Sequence, residues 1–209
     1  MAGTITKLEI QKRAKERVNV FLDEKFAFGV TLNVALELKK GQFLSDAEIR
    51  QLTEQDERHQ AYARALYYLG FRARSRGEVE RYLREKEFSP EAVTWAVQRL
   101  VAEKYLDDEA FAQTWTDNRQ THKPKSRRAL NQELRQKGVD GQTIETILSE
   151  VDEDEAARQA LAGKLRQWQN LDEETFRKKA MGFLGRRGFG FAICRAAVDE
   201  AWQSLIEGG

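Results

Sequence analysis

Cysteine, histidine and proline are nearly missing from this chain. Of its 209 residues one is cysteine, Cys194, two are histidine, His59 and His122, and two are proline, Pro90 and Pro124. A lone cysteine excludes an internal disulfide and fits a reducing compartment. One thiol and two imidazoles cannot build an ordinary Cys/His zinc site. With so little proline, few positions interrupt helices. No apolar run approaches the length of a membrane span, and the opening "MAGTITKLEIQKRAKERVNV" has no apolar core of the signal-peptide kind. The expectation is a soluble cytoplasmic protein that does not engage membranes and needs no metal or cofactor.

A surplus of either charge is also missing, because 35 basic residues face 34 acidic ones for a net charge of +1. Where the charges sit therefore matters more than their balance. The 41% hydrophobic content supports a core, yet 33% of residues are charged and the mean hydropathy is -0.68. That balance suits several small units in a row, each with a high surface-to-volume ratio.

The first part of the chain differs from the rest. "ITKLEIQK" and "RVNVFLDEKFAF" alternate apolar and polar residues and are rich in β-branched types, as half-buried strands are. "RAKE" reads as a hairpin loop and "DEK" as a second tight turn, giving an antiparallel meander over about Ile5 to Phe28. So small a sheet is marginal alone. A helix over "TLNVALELKK", ended by Gly41, is expected to cover it, and Ser45 to cap the next helix.

From about Asp56 the pattern is helical and repetitive. "SRGEVERYLREKEFSPEAVTWAVQRL" from Ser75, "SRRALNQELRQKGVDGQTIETILSEV" from Ser126 and "FRKKAMGFLGRRGFGFAICRAAVDEA" from Phe176 align without internal gaps. Leu83, Leu134 and Leu184 coincide, as do Phe88, Val139 and Phe189, then Val93, Ile144 and Cys194, then Val97, Leu148 and Val198. Each segment reads as helix, short turn, helix, with one apolar stripe after the turn. A further helix precedes each pair, over Ala61–Gly70, Asp108–Gln120 and Glu155–Trp168. The fold class is therefore mainly α: three tandem three-helix repeats (56–106, 107–153 and 154–209) behind a β-rich N-terminal extension (1–55).

The alignment explains the glycine run Gly185 to Gly190. Gly188 matches Gly138 and Glu87, just past the first helix of each pair, where a left-handed residue forms a helix C-cap. The run lacks the spacing and strand of a phosphate loop, and reverses the order of the dinucleotide fingerprint. "GRRG" joins two helices as a KH clamp does, but a KH domain needs strands nearby. A structural turn with exposed arginines remains.

Other candidate chemistry also reads as structural. Asp107–Asp108 and the acidic run from Val151 to Ala157 precede helices, where carboxylates cap free N–H groups. Cys194 holds an apolar position and has no histidine in its own unit. Ser75 and Ser126 open equivalent helices, so capping explains them. Trp95, Trp115, Trp168 and Trp202 lie at core spacing. Nothing reads as an active site.

Basic residues carry the remaining signal. They gather at the ends of the first helix of each pair: Arg72, Arg74, Arg76 and Lys86; Lys123, Lys125, Arg127, Arg128 and Lys137; Arg177, Arg186 and Arg187. Two cations recur in register, Arg76/Arg127/Arg177 and Lys86/Lys137/Arg187. Stacked units would line them along one edge, as a track for a polyanion or an acidic protein groove.

Four phrases in order, "RHQAYARALYYLGFRARSRGEVERYLREKEFSPEAV", "LVAEKYLDDEAFAQTWTDNR", "KPKSRRALNQELRQKGV" and "FLGRRGFGF", resemble the RecX family, regulatory proteins of the RecA recombinase. The N-terminal "KLEIQKRAKERVNVFLDEKFAFGV" is similar to the β-rich extension of its longer members. Glu87 departs from that pattern, standing where a glycine is usual. The resemblance implies a non-enzymatic modulator with an elongated helical crescent. It would bind the RecA filament on single-stranded DNA and restrain ATP hydrolysis, strand exchange and LexA cleavage. Weaker direct DNA binding and a monomeric state are expected with it. Two other readings stand beside it: a helix–turn–helix DNA-binding protein not directed at RecA, and a helical-repeat adaptor for a protein partner. Against the former, the second helices begin "SPEAV", "DGQTI" and "GFAIC", with few base-reading side chains.

Overall fold

The structure, a computed structural model, describes residues 2–12 and 14–207. Among these are ten helices and one four-stranded antiparallel sheet. The chain forms two compact units, Met1–Arg74 with Glu78–Leu106, and Ser75–Gly77 with Asp107–Gly209.

Strands β1 (Gly3–Ile10), β2 (Arg17–Leu22) and β3 (Lys25–Thr31) form the expected meander. Asp23 and Glu24 connect β2 to β3 with φ of 48° and 69°, the paired left-handed geometry that suits a two-residue hairpin. In the "RAKE" loop, Arg13 lies outside the described residues. A fourth strand, β4 (Phe43–Leu44), pairs with Gly3 and Thr4 and completes the order β3-β2-β1-β4. Two residues are too few to show alternation.

The helix expected over "TLNVALELKK" shrinks to α1, Leu32–Ala35. The backbone beyond it is drawn to the sheet: Gly41 N–H donates to the Ile5 carbonyl at 2.7 Å, and Ile5 N–H to Gln42 at 2.8 Å. Leu38 turns into the sheet core with Ile5, Val20, Val30 and Leu44, all buried. These tertiary bonds replace the helical ones that propensity favoured.

Helix α2 (Asp46–Leu69) opens with a capping box between Ser45 and Glu48, and runs unbroken across residue 55. It is pinned to the sheet by Asp56, only 3% exposed. That carboxylate accepts from Thr31 N–H at 2.5 Å, Arg17 at 3.1 Å and Gln60 at 2.6 Å. A charge this deeply buried is tolerable only when so fully bonded.

The rest is helix pairs, each packed on a preceding helix. The C-terminal half of α2 packs with α3 (Arg76–Glu85) and α4 (Pro90–Ala102). Next come α5 (Asp108–His122), α6 (Arg127–Gln136) and α7 (Gly141–Ser149). Last are α8 (Glu153–Trp168), α9 (Glu173–Arg186) and α10 (Phe191–Glu207). Leu83, Leu134 and Leu184 are fully buried at the equivalent place, and Val93, Ile144 and Cys194 follow them into each core. Helix α9 starts a turn ahead of α6 because Asp172 caps it, accepting from Thr175 N–H at 2.9 Å; Phe176 then falls inside the helix and into the core.

The three helix–turn–helix corners share one geometry. Glu87, Gly138 and Gly188 have φ of 63°, 81° and 89°. The N–H of the next residue, Phe88, Val139 or Phe189, reaches back to the Leu83, Leu134 or Leu184 carbonyl at 3.3, 3.1 and 3.3 Å. This is a left-handed C-cap closed by a hydrophobic residue. Among the described residues no helix is long and apolar enough to cross a membrane, and no cluster of acidic, histidine or cysteine side chains is placed to hold a metal.

Candidate nucleic-acid interface

The structure gives the twelve basic residues different tasks. In the first unit, Arg72 forks onto Glu78 at 2.8 and 3.2 Å. Arg74 lies 3.6 Å over the Tyr68 ring, Tyr68 stacks on Tyr82 at 3.8 Å, and Lys86 stands 5.7 Å over Tyr82. Cation, ring, ring and cation thus form a short ladder of half-buried aromatics and accessible charge.

In the second unit several cations are absorbed into structure. Lys125 and Arg119 both bind Glu133, to which Trp115 also donates at 2.8 Å. Burial pushes the Glu133 carboxyl up, but these three bonds outweigh it and hold the group below the usual glutamate value. Arg127 donates to the Val151 carbonyl at 2.8 Å. Lys137 lies 4.2 Å over Trp115. Arg177 is held between Glu173, at 2.7 Å, and Asp199. Arg187 donates to the Pro124 carbonyl at 3.0 Å and lies 4.3 Å over Phe183, and burial lowers its guanidinium below the usual arginine value.

The two recurrent sets therefore differ. Lys86, Lys137 and Arg187 share a role, each resting on an aromatic ring of its own repeat. Arg76, Arg127 and Arg177 do not: the first makes no side-chain hydrogen bond among the described residues, though its charge acts on Asp108, the second binds a carbonyl and the third is an ion-pair member.

Arg76, Lys123, Arg128 and Arg186 are exposed and make no side-chain hydrogen bond or ion pair among the described residues. Two basic hollows in the second unit hold such cations. One, of about 550 Å³, is lined by Arg127, Arg128, Asn131 and Arg135 of α6 with Gly141, Glu145, Leu148 and Ser149 of α7. The other, of about 750 Å³, lies along α9 between Thr175, Lys178, Lys179, Gly182 and Arg186, with Glu174 and the half-buried Trp168 at its edge. Lys178, Lys179 and Arg186 form no ion pair among the described residues. Trp168 packs edge-on against Phe176 and Phe183, with centroids 6.3 and 5.6 Å apart, so the three free cations form a track for phosphates beside a partly covered indole.

Trp168 packs against the core of its repeat, as its spacing predicts. Lys178 and Lys179 fall outside the set of cations selected from the sequence. Their helical spacing, at 175, 178, 179, 182 and 186, was the available signal, since it places all five on one face.

Four family models match in succession: the regulatory protein RecX N-terminal domain over residues 3–45, and the first, second and third RecX three-helix domains over 61–100, 107–148 and 152–198. Regulatory protein RecX of Bacillus subtilis is 37% identical over 94% of this chain and 76% of its own length. The chain belongs to the RecX family. Regulatory protein RecX of Listeria monocytogenes is 29% identical over 96% of the chain and 77% of its own length. A crystal structure of regulatory protein RecX, 28% identical, superposes with a TM-score of 0.71 over 95% of this chain and all of that one. A second, of RecX from Lactobacillus salivarius, shares the fold at 20% identity, with a TM-score of 0.62 over 70% of this chain and 97% of its own. RecX is thus a family of regulatory proteins whose sheet-bearing extension and three helical domains all occur here, and the α9 hollow lies within the third.

Proposed function

We propose that this RecX protein is a non-enzymatic, negative modulator of the RecA recombinase. It binds the RecA filament on single-stranded DNA as a monomer in the cytoplasm and restrains ATP hydrolysis, strand exchange and LexA cleavage. Family membership supports the partner. The observation that carries the nucleic-acid contact is the α9 hollow, where Lys178, Lys179 and Arg186 stand unpaired beside Trp168.

The chemistry is that of counterion release. Each cation that replaces a condensed counterion gains affinity that falls with salt. Arg76, Lys123 and Arg128 are further exposed cations, while the Arg74–Tyr68–Tyr82–Lys86 ladder offers a second place where rings and charge meet. The helix–turn–helix reading gains nothing from the second helices: α4, α7 and α10 begin with Pro90, Gly141 and Phe191, which cannot read base edges by hydrogen bonding.

The test is charge reversal of K178E, K179E and R186E together, assayed by anisotropy of a labelled oligothymidylate, bare and coated with RecA, over a range of salt. The reading expects weaker binding and a log–log salt slope for bare strand shallower by about 2, near 0.7 per lost phosphate contact. An unchanged slope and affinity would remove the α9 hollow from the interface.

A further inference from the structure

A third cavity in the C-terminal unit has the opposite chemistry. It measures about 320 Å³ and lies among α5, α7 and the start of α8. Its apolar lining is Ile147, Val151 and Ala156, all buried. Around these stand four carboxylates, Asp117, Glu150, Asp152 and Glu155. Asp152 caps α8, and Glu155 binds Arg158 at 3.0 Å. Asp117 accepts from Gln113 Nε2 at 2.9 Å, and neither it nor Glu150 has an ion pair among the described residues. Arg158 already neutralises part of this rim through Glu155, and Arg127 donates to the Val151 carbonyl, which leaves Asp117 and Glu150 as the carboxylates without a cation.

The independent observation is Thr116. It is 3% exposed, it lines this cavity, and its Oγ1 has no hydrogen-bond partner. One helical turn on, Gln120 donates through Nε2 to the Lys125 carbonyl at 3.1 Å, which leaves its buried Oε1 without a donor. Buried oxygens without partners are costly, and a partner supplied from outside removes that cost.

We infer that this slot is a receptor for an arginine side chain presented by a protein partner. The Gln120 amide oxygen and the Glu150 carboxylate lack donors, Asp117 keeps acceptor capacity beyond its bond from Gln113, and the Thr116 hydroxyl can accept as well as donate. A guanidinium has five donors and no acceptor. Its three-carbon stem suits the Ile147–Val151–Ala156 floor while the charged head reaches the carboxylates. An ammonium brings charge without the planar fork, and a nucleic-acid phosphate is excluded by the acidic rim. The slot is a separate site from the basic hollow on α9, and the inference does not rest on RecA as the partner.

The probe is N-acetyl-arginine amide, titrated into the full chain while the methyl NMR signals of Thr116, Ile147 and Val151 are followed. Saturable shifts confined to those methyls are expected. The neutral citrulline counterpart should bind about tenfold more weakly, the loss of a charge-assisted hydrogen bond. D117N with E150Q, both at exposed positions, should weaken arginine binding similarly without altering the rest of the spectrum. Equal shifts with citrulline, tighter binding of spermidine than of the arginine amide, insensitivity to the double variant, or no saturable shift would each overturn the inference.

Discussion

A Cβ placed on Gly77 would stand 2.7 Å from the Cα of Gly138, and one placed on Gly138 would stand 2.8 Å from the Cα of Gly77. The two backbones touch at the start of α3, within the second unit. There Ser75 is fully buried and donates to the Lys137 carbonyl, while Asp108 accepts from Arg76 N–H at 2.7 Å. The same junction recurs one repeat on. A Cβ on Gly188 would meet Ala129 Cβ at 2.9 Å, Ser126 N–H donates to the Arg187 carbonyl at 3.2 Å, and Glu153 accepts from Arg127 N–H at 2.9 Å. The left-handed corner of one repeat thus seats on the helix start of another, and the free N–H groups there are satisfied in the process.

Adding a methyl at this junction should be costly. Gly77→Ala and Gly138→Ala are each expected to lose about 1–3 kcal/mol in urea unfolding, because no side chain can move aside to make room. Gly138→Ala also forces a positive φ on alanine. Gly163→Ala in α8, with open space around it, is the control and should gain up to about 1 kcal/mol. Equal effects at all three would mean the junction is not close-packed in solution.

Glu133 makes stability depend on pH in one direction. Its folded carboxyl is held below the usual value by Lys125, Arg119 and Trp115. Its contribution is therefore present above the unfolded glutamate value and is lost as pH falls through the folded one. Glu133→Gln should destabilise by about 1–3 kcal/mol at pH 7. Its difference from the parent protein should shrink in acid, measured by denaturant titration from pH 7 downward.

The cations divide into two experimental classes. Lys137→Ala and Arg187→Ala remove a charge resting on Trp115 or Phe183. They should cost about 0.5–2 kcal/mol of stability. The triple reversal at Lys178, Lys179 and Arg186 should leave the unfolding midpoint nearly unchanged and weaken single-strand binding. Thermal unfolding and anisotropy run on the same samples would separate the two.

Cys194 should behave as a small hydrophobe. It is 2% exposed, burial pushes its thiol up, and its aligned counterparts are Val93 and Ile144. A disulfide reagent should modify it only after unfolding, and Cys194→Val should change stability by less than about 1.5 kcal/mol. Rapid labelling of the native protein would contradict this packing.

Much of this was legible in the residues. Alternation marks β1 to β3, and the aligned Leu83/Leu134/Leu184 and Val93/Ile144/Cys194 positions mark the cores. The left-handed corner was readable from Gly138 and Gly188, and Glu87 takes the same conformation while its side chain stays exposed. What escaped depends on long-range contact. β4 has too few residues for a pattern, and α1 is cut short by backbone bonds to Ile5. The register of Lys86, Lys137 and Arg187 was visible, but the rings beneath them were not, because a cation over an aromatic has no one-dimensional signature. The free cations of α9 lie off that register, Arg186 one residue before Arg187 and Lys178 and Lys179 more than two turns before it.

The measurement that bears most directly on the regulatory role is RecA's ATP hydrolysis on single-stranded DNA, titrated with this protein and with the K178E/K179E/R186E variant, using RecA from the same source. The account predicts inhibition at well below one molecule per RecA, shifted to higher concentration by the variant. Unchanged hydrolysis up to equimolar protein would contradict it.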